Sequence, residues 1–360
     1  MRYYILDDLV DPVTTENLRV ERAEVVERPG PPVEPCRHWC GLRGTPPASV
    51  SPADCHSCRN SWVTSGELVA GDRSYVITHG IPRMIAEEDA IDQETQESFG
   101  YEWQHFDRVL DDYDEEVGNY FGVVPPAVTH GAVALDAGCG MGRWARHAAS
   151  LGIRRLYAVD FSRAIDRACT TLDDIGHTHC VQADVCRLPF RDGTFDFTYC
   201  LGVLHHLQDP DAGMSSVNRV TRADGALLIY LYYNLENRPR AHRWLLAGVT
   251  AARRVTSRLS KPLMHRLAWV IALLIYLPLA RSARLLERLG WTQAALQMPL
   301  THYRTLSLQF MVGDAFDRFA TPIEKRYSRA EIATWLSRYG RETRFSDHTP
   351  FWVTLATPRS

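Results

Sequence analysis

The stretch VALDAGCGMGRW, residues 133–144, constrains the fold more than any other part of the chain. Val133, Ala134 and Leu135 read as the end of a buried strand, and Gly138, Gly140 and Gly142 follow at alternate positions. Glycine lets the chain turn tightly and lets a ligand lie against bare backbone. Residues 143–151 can run on as a helix, whose first N–H groups lack intrahelical partners and suit a carboxylate or phosphate. Asp136, at the strand end, can accept a hydrogen bond from a cationic amine.

Such a turn is a weak signal alone, so the sequel matters. The apolar run 156–159 closes on Asp160, about 20 residues past the glycines, where a nucleotide-binding fold sets a carboxylate against ribose hydroxyls. A third run, 181–183, closes on Asp184, and a fourth, 195–199, leads into CLGVLHHLQDP. Helical stretches lie between, with Ser162 placed to cap one whose Ile165, Cys169 and Leu172 face the sheet. Ligands sit at strand carboxyl ends in open parallel sheets, so residues 200–206 belong beside the reacting group. His205 and His206 are candidate general bases, because imidazole titrates near neutrality. The bland alternative is that the pair packs the loop.

These residues resemble those of the class I S-adenosylmethionine (SAM) methyltransferases: LDAGCGMG, the YAVD ending at Asp160, QADVCRLPF around Asp184, and FDFTYCLGVLHHLQDP. The resemblance is strong over 99–232 and weak over 328–358, and is closest to small-molecule enzymes such as those of quinone biosynthesis. It implies a Rossmann-like α/β fold with a seven-stranded sheet. It implies that Gly138 and Gly140 line the methionine moiety, Asp160 holds the ribose, and Asp184 with Val185 meets the adenine; Asp136, Cys139, Gly142, Phe161 and Cys200 are further cofactor-binding candidates. Just before the first strand, Phe99, Trp103, Phe106 and Leu110 fall at helical spacing. That stripe reads as core. Alternatively Tyr101 or Trp103 folds over the cofactor, since an aromatic face suits a sulfonium.

The first 90 residues read as a separate module. Cys36, Cys40, Cys55 and Cys58 form a CxxxC followed by a CxxC in a proline-rich loop, a spacing that suits a structural zinc with each pair on a tight knuckle. His38 and His56 are alternative ligands. MRYYILDDLVDP and SYVITHGIPRMI resemble the opening and close of a small zinc-ribbon family that accompanies many methyltransferases. That family places cysteines near residues 12–15 and 69–72, and this chain has none there. The module is expected to be a docking or lid element, or a structural appendage. The chain start carries acids where an export signal needs bases, so the cytoplasm is the expected compartment, and nine cysteines there are thiols or metal ligands.

After the fifth strand, near residues 226–232, the next helix of the minimal fold begins only at SRAE, where Ser328 and Glu331 form a capping box with Ile332, Trp335 and Leu336 inward. The domain plan is thus 1–90, a helical bridge 91–128, a SAM domain 129–233 and 323–360, and an inserted cap 234–322. Within 238–288 lie eleven Lys or Arg against Glu287 alone, in a chain whose net charge is −3. The same stretch holds LAWVIALLIYLPLA, too short for a spanning helix of about 20 residues and interrupted by Pro278. It is read as a buried cap helix, as a surface for an anionic membrane or a greasy phosphate-bearing substrate, or as a homodimer interface. Tyr303, Asp317 and Tyr327, near where the cap rejoins the core, are candidate substrate contacts.

The expected function is SAM-dependent methyl transfer to a small or lipid-like acceptor, from the cytoplasm or the membrane periphery. Its rivals are an RNA methyltransferase using the zinc module, or a SAM-binding protein without turnover. The net charge and the absence of an Asp-Pro-Pro-Tyr motif after the fourth strand argue against nucleic acid.

Overall fold

The computed structural model describes residues 1–30, 34–86, 114–236, 240–346 and 352–359. Tyr101 and Trp103, and most of the helical bridge, lie outside them. One mixed sheet organises the chain. Its strands are β1 (Arg19–Glu27), β2 (Ser61–Ala70), β3 (Arg73–Thr78), β4 (Ile81–Met84), β5 (Val133–Ala137), β6 (Arg155–Asp160), β7 (Thr178–Ala183), β8 (Phe195–Leu201), β9 (Thr221–Leu231), β10 (Arg341–Phe345) and β11 (Trp352–Pro358). Their spatial order is β1-β2-β3-β4-β7-β6-β5-β8-β9-β11-β10.

From β7 onward the pairing is parallel through β9, with β11 antiparallel to both neighbours. This part has the seven strands expected, but the sheet does not stop there. β4 pairs in parallel with β7 through Arg83 and Met84, and β1–β3 continue it as antiparallel strands, giving eleven among the described residues. The physical reason is the exposed β7 edge, whose unpaired backbone groups β4 satisfies. Side-chain contacts reinforce the join. The Asp8 carboxylate accepts from Arg155 at 2.7 Å and from the Tyr157 hydroxyl, and Tyr4 Oη lies 3.1 Å from His179 Nε2. Met1, Ile5, Leu6 and Leu9 pack in the same hydrophobic cluster as Leu135, Tyr157 and Val181.

The helices of the core are α2 (Asp114–Phe121), α3 (Arg143–Ala149), α4 (Ala164–Thr171), α5 (Pro210–Val220) and α11 (Arg329–Ser337), after α1 (Pro52–Asn60) in the amino-terminal module. Asp209 caps α5 by accepting from Ala212 N, and Met214, Val217 and Val220 are buried beneath it. The Ser328–Glu331 capping box starts α11, and Ile332, Trp335 and Leu336 face inward.

Between β9 and α11 stands the cap: α6 (Arg240–Thr256), α7 (Lys261–Ile271), α8 (Leu277–Arg288), α9 (Thr292–Gln297) and α10 (Leu308–Ala320). It has its own core, in which Met264, Ala268, Ala272, Tyr276 and Ala280 meet Met311, Val312, Ala315 and Phe316. The sequence places a break at Pro278. Instead α7 and α8 form one helix, Lys261–Arg288, joined by a π turn over Ala272–Tyr276. A proline removes one backbone donor and crowds the carbonyl four residues back, and the wider turn absorbs both. The resulting 28-residue helix is long and apolar enough to cross a bilayer by length and composition.

Candidate active site

The strand order reverses between β5 and β8, and in open α/β sheets the crevice at such a point receives ligands. The chain leaving β5 makes the glycine turn. Gly138, Gly140 and Gly142 have φ of +84°, +55° and +84°, which side-chain-bearing residues avoid. A Cβ on Gly138 would lie 2.3 Å from Val203 Cγ2, so the turn is pressed against the loop after β8. The N–H groups of Gly138 and Cys139 both donate to Val159 O at 2.8 Å, and Gly142 N donates to Cys139 O. Gly140 N donates to Asp160 Oδ2 at 2.8 Å. The turn therefore offers a ligand bare backbone surface, its glycine donors being engaged within the protein.

Asp160 also accepts from Ser162 N at 2.8 Å and Ser162 Oγ at 2.7 Å. It is thus a latch between the turn and β6; burial lifts its carboxyl above the ordinary range, and these bonds partly offset that. Ser162 does not cap α4 as N-cap, a place held by Arg163, although its hydroxyl accepts from Ala164 N. Asp184 caps the short turn after β7 through Cys186 N at 2.8 Å, with Val185 buried behind it and Phe161 O held by Gln182.

Asp136 is buried beneath the turn, and burial pushes its carboxyl well above the usual range. The Tyr199 hydroxyl, Arg143 and the Ala145 N–H oppose that shift, while Asp136 Oδ2 and Tyr199 Oη have no partner at hydrogen-bonding geometry. Cys139 and Cys200 are buried beside it, and burial raises both thiols.

After β8, a turn of helix (Leu204–His206) presents the tandem imidazoles. The His205 ring is fully buried, stacks on Tyr232 with centroids 4.0 Å apart, and has no hydrogen-bond partner on either nitrogen. Burial, then His206 and Arg326, hold its pKa well below the usual value, so it is neutral near pH 7. His206 Nδ1 lies 2.8 Å from Ile323 O and so donates to it.

The three expected substrate contacts do not converge. Asp317 joins the histidines: it accepts from Tyr232 Oη at 3.0 Å and Thr321 Oγ1 at 3.1 Å, and burial raises its carboxyl. Tyr303 lies in the cap interior, where Arg318 donates to its hydroxyl at 3.4 Å, pairs with Asp314 at 3.3 Å, and Tyr276 donates to Asp314 at 3.0 Å. Tyr327 stacks its ring on Trp335, while its backbone N–H donates to Tyr232 O at 2.9 Å. Sequence reading missed Tyr232, Asp314 and Arg318; the i, i+3, i+4 spacing of Asp314, Asp317 and Arg318 on α10 was the available signal. Glu324, paired with Arg253 of α6 and Arg326, fastens the cap at this point.

Cys36, Cys40, Cys55 and Cys58 line one cavity with Tyr4, Glu34 and His56. Burial and the neighbouring thiols, with Asp7 and Asp8 beside Cys36, push Cys36 and Cys58 up to about 12. Among the described residues no group of three or more Cys, His, Asp or Glu is disposed to hold a metal ion. Cys55 and Cys58 sit on α1 rather than on a knuckle, because Ser51 and Asp54 form a capping box with Pro52 at the first helical position.

Residues 135–229 match the family model described as "Methyltransferase domain". Over 96 residues the chain is 31% identical to the arginine-hydroxylase NDUFAF5 of Danio rerio, covering 27% of this chain and 29% of that one. Over 106 residues it is 30% identical to an uncharacterised chloroplastic methyltransferase of Arabidopsis thaliana, covering 27% and 30%. The chain thus spans less than a third of the length of these relatives. Among solved structures, the 1,6-didemethyltoxoflavin-N1-methyltransferase of Burkholderia thailandensis, with 1,6-didemethyltoxoflavin and S-adenosylhomocysteine bound, aligns with 82% of this chain and 96% of that one, at 13% identity and a TM-score of 0.47.

Proposed function

We propose that this chain, whose residues 135–229 form a methyltransferase domain, transfers the methyl group of SAM to a small or lipid-like acceptor. The observation that carries the reading is the orphaned Asp136 Oδ2 beneath the glycine turn. A buried carboxylate oxygen without a partner is costly unless a ligand supplies a donor, and a bound ammonium would favour the ionised form. Gly138–Gly142 give the methionine moiety bare backbone to lie on. Asp160, whose Oδ2 accepts only from Gly140 N and keeps a lone pair, suits ribose hydroxyls, and Asp184 with Val185 suits the adenine. Tyr101 and Trp103 are assigned a covering role on sequence alone.

When bound, the cofactor supplies a methyl carbon on a sulfonium, a good leaving group, so positioning carries much of the acceleration. Neutral His205, oriented by stacking rather than by hydrogen bonds, is fitted to accept a proton from a hydroxyl acceptor. Asp317, through Tyr232, is placed to position that ring. Arg318, Tyr276 and Tyr303 extend the polar cluster into the cap, which suits an acceptor with one polar end and a greasy remainder.

Because a 31%-identical relative is named a hydroxylase, the test must read methyl transfer itself. Purified protein, SAM and separated lipid-soluble, polar small-molecule and bulk RNA fractions of a cell extract are incubated, and S-adenosylhomocysteine is measured. Release with the lipid-soluble or polar small-molecule fraction is expected. Release with RNA alone would move the acceptor to nucleic acid, and binding of SAM without release from any fraction would leave a non-catalytic binder. The reading also gives Cys36, Cys40, Cys55 and Cys58 a structural zinc, supported by their shared cavity. Elemental analysis should find about one zinc per chain; none would remove it.

A further inference from the structure

We propose that the cap is a membrane-docking module that lies flat on an anionic bilayer, with the outer face of Lys261–Arg288 seated at the boundary of headgroups and acyl chains. This goes beyond the catalytic reading and does not depend on the acceptor.

Of the seventeen exposed large hydrophobic residues among those described, thirteen lie between Trp244 and Leu296. Soluble surfaces scatter such residues singly, and a contiguous set marks an interaction face. Along the long helix they form a stripe. Leu263, Val270, Leu274 and Leu285 recur at spacings that keep them on one side, flanked by Trp269 and Leu273. Leu274 is 72% exposed, and Trp244 and Trp291 elsewhere on the cap are 80% and 64% exposed.

The opposite side of the same helix, Met264 to Ala280, is packed on Met311, Val312, Ala315 and Phe316 of α10. Crossing a bilayer would strip that face from its core, so the helix docks along the surface instead. An in-plane helix with a greasy face and tryptophans near the headgroups is the expected geometry.

Charge selects the occupant. Arg266 falls within the length of the apolar stripe and Arg288 follows its end, and Arg243, Arg254 and Arg258 stand on the preceding helix and turn. All five are exposed, and none pairs with a carboxylate among the described residues. A second copy of the chain meeting this face through a two-fold axis would bring the arginines together. Anionic headgroups neutralise them.

The test is flotation of the full chain with vesicles of phosphatidylcholine, alone or doped with phosphatidylglycerol. The wild type should float with doped vesicles and largely remain behind with neutral ones. Arg254→Glu with Arg258→Glu should weaken partition at least about fivefold per cation. Val270→Asp with Leu274→Asp should reduce it to background while SAM affinity and melting temperature stay unchanged, which shows that the variant is folded. Failure of the wild type to float, or equal flotation with both vesicles, overturns the proposal. So does a solution dimer that Leu274→Asp dissociates without any vesicle binding. Loss of SAM binding in the wild type would instead count against the catalytic reading alone.

Discussion

The carboxyl edge of the central strands and the outer face of the cap carry opposite misfits. At the strand edge, polar atoms are shut inside without partners: Asp136 Oδ2, Tyr199 Oη and both nitrogens of His205. On the cap, apolar side chains stand in water, although the cap has a core of its own in which to bury some. Each misfit costs free energy in the isolated chain, and each is relieved by a partner of matching character. A polar orphan inside calls for a small charged ligand. A greasy face outside, edged by arginines, calls for an extended surface.

The sharpest break of this comparison is a pair of truncations. Phe197 on β8 is fully buried, and Phe197→Ala should cost about 4 kcal/mol in urea unfolding. Leu274→Gln should change stability by less than about 0.5 kcal/mol. A large loss for Leu274→Gln would mean that the outer face is covered in solution, and the contrast would fail. Next in size is Gly138→Ala. Its φ of +84° and the closeness of Val203 should cost about 3 kcal/mol, with cofactor affinity lost as well. Wild-type stability and affinity in that variant would mean that the turn is looser than described.

A smaller effect separates the two regions by pH. Burial holds His205 and His179, both in the core, well below the usual histidine value of 6.5. The unfolded chain then binds more protons than the folded one just below 6.5, so their contribution is complete above that pH and drains away as pH falls toward the folded values. Burial raises the carboxyls of Asp136, Asp160 and Asp317, which acts in the opposite sense, so the test compares variants: the wild type's melting temperature should fall more steeply than that of His205→Gln between about pH 7 and about pH 5. Parallel profiles would show that the His205 ring accepts a proton in the folded state.

How much was legible in the sequence follows from which interactions are local. The glycine turn, the acids at the ends of β6 and β7, and the Ser328 capping box are set by neighbours within a few residues, and they read directly. The junction of β4 with β7 depends on an edge about 100 residues away, and nothing in SYVITHGIPRMI announces its partner. The helix under Cys55 and Cys58 was legible in SPAD but was masked by the cysteine spacing, which drew attention to a metal knuckle. The single helix through Pro278 was hidden because a proline normally ends such a run, and the π turn that spares it has no signature in composition. The stacking of the Tyr327 ring on Trp335 is a packing choice that only the fold decides.

The central claim is that the unpartnered Oδ2 of Asp136 receives the cofactor's ammonium. Calorimetry of S-adenosylhomocysteine on Asp136→Asn tests it most directly, because the amide keeps the shape while it removes the charge and turns one acceptor oxygen into a donor. The account predicts an affinity about thirtyfold weaker, the worth of a charged hydrogen bond of about 2 kcal/mol, with Leu274→Gln binding as the wild type does. Unchanged affinity in Asp136→Asn would contradict it.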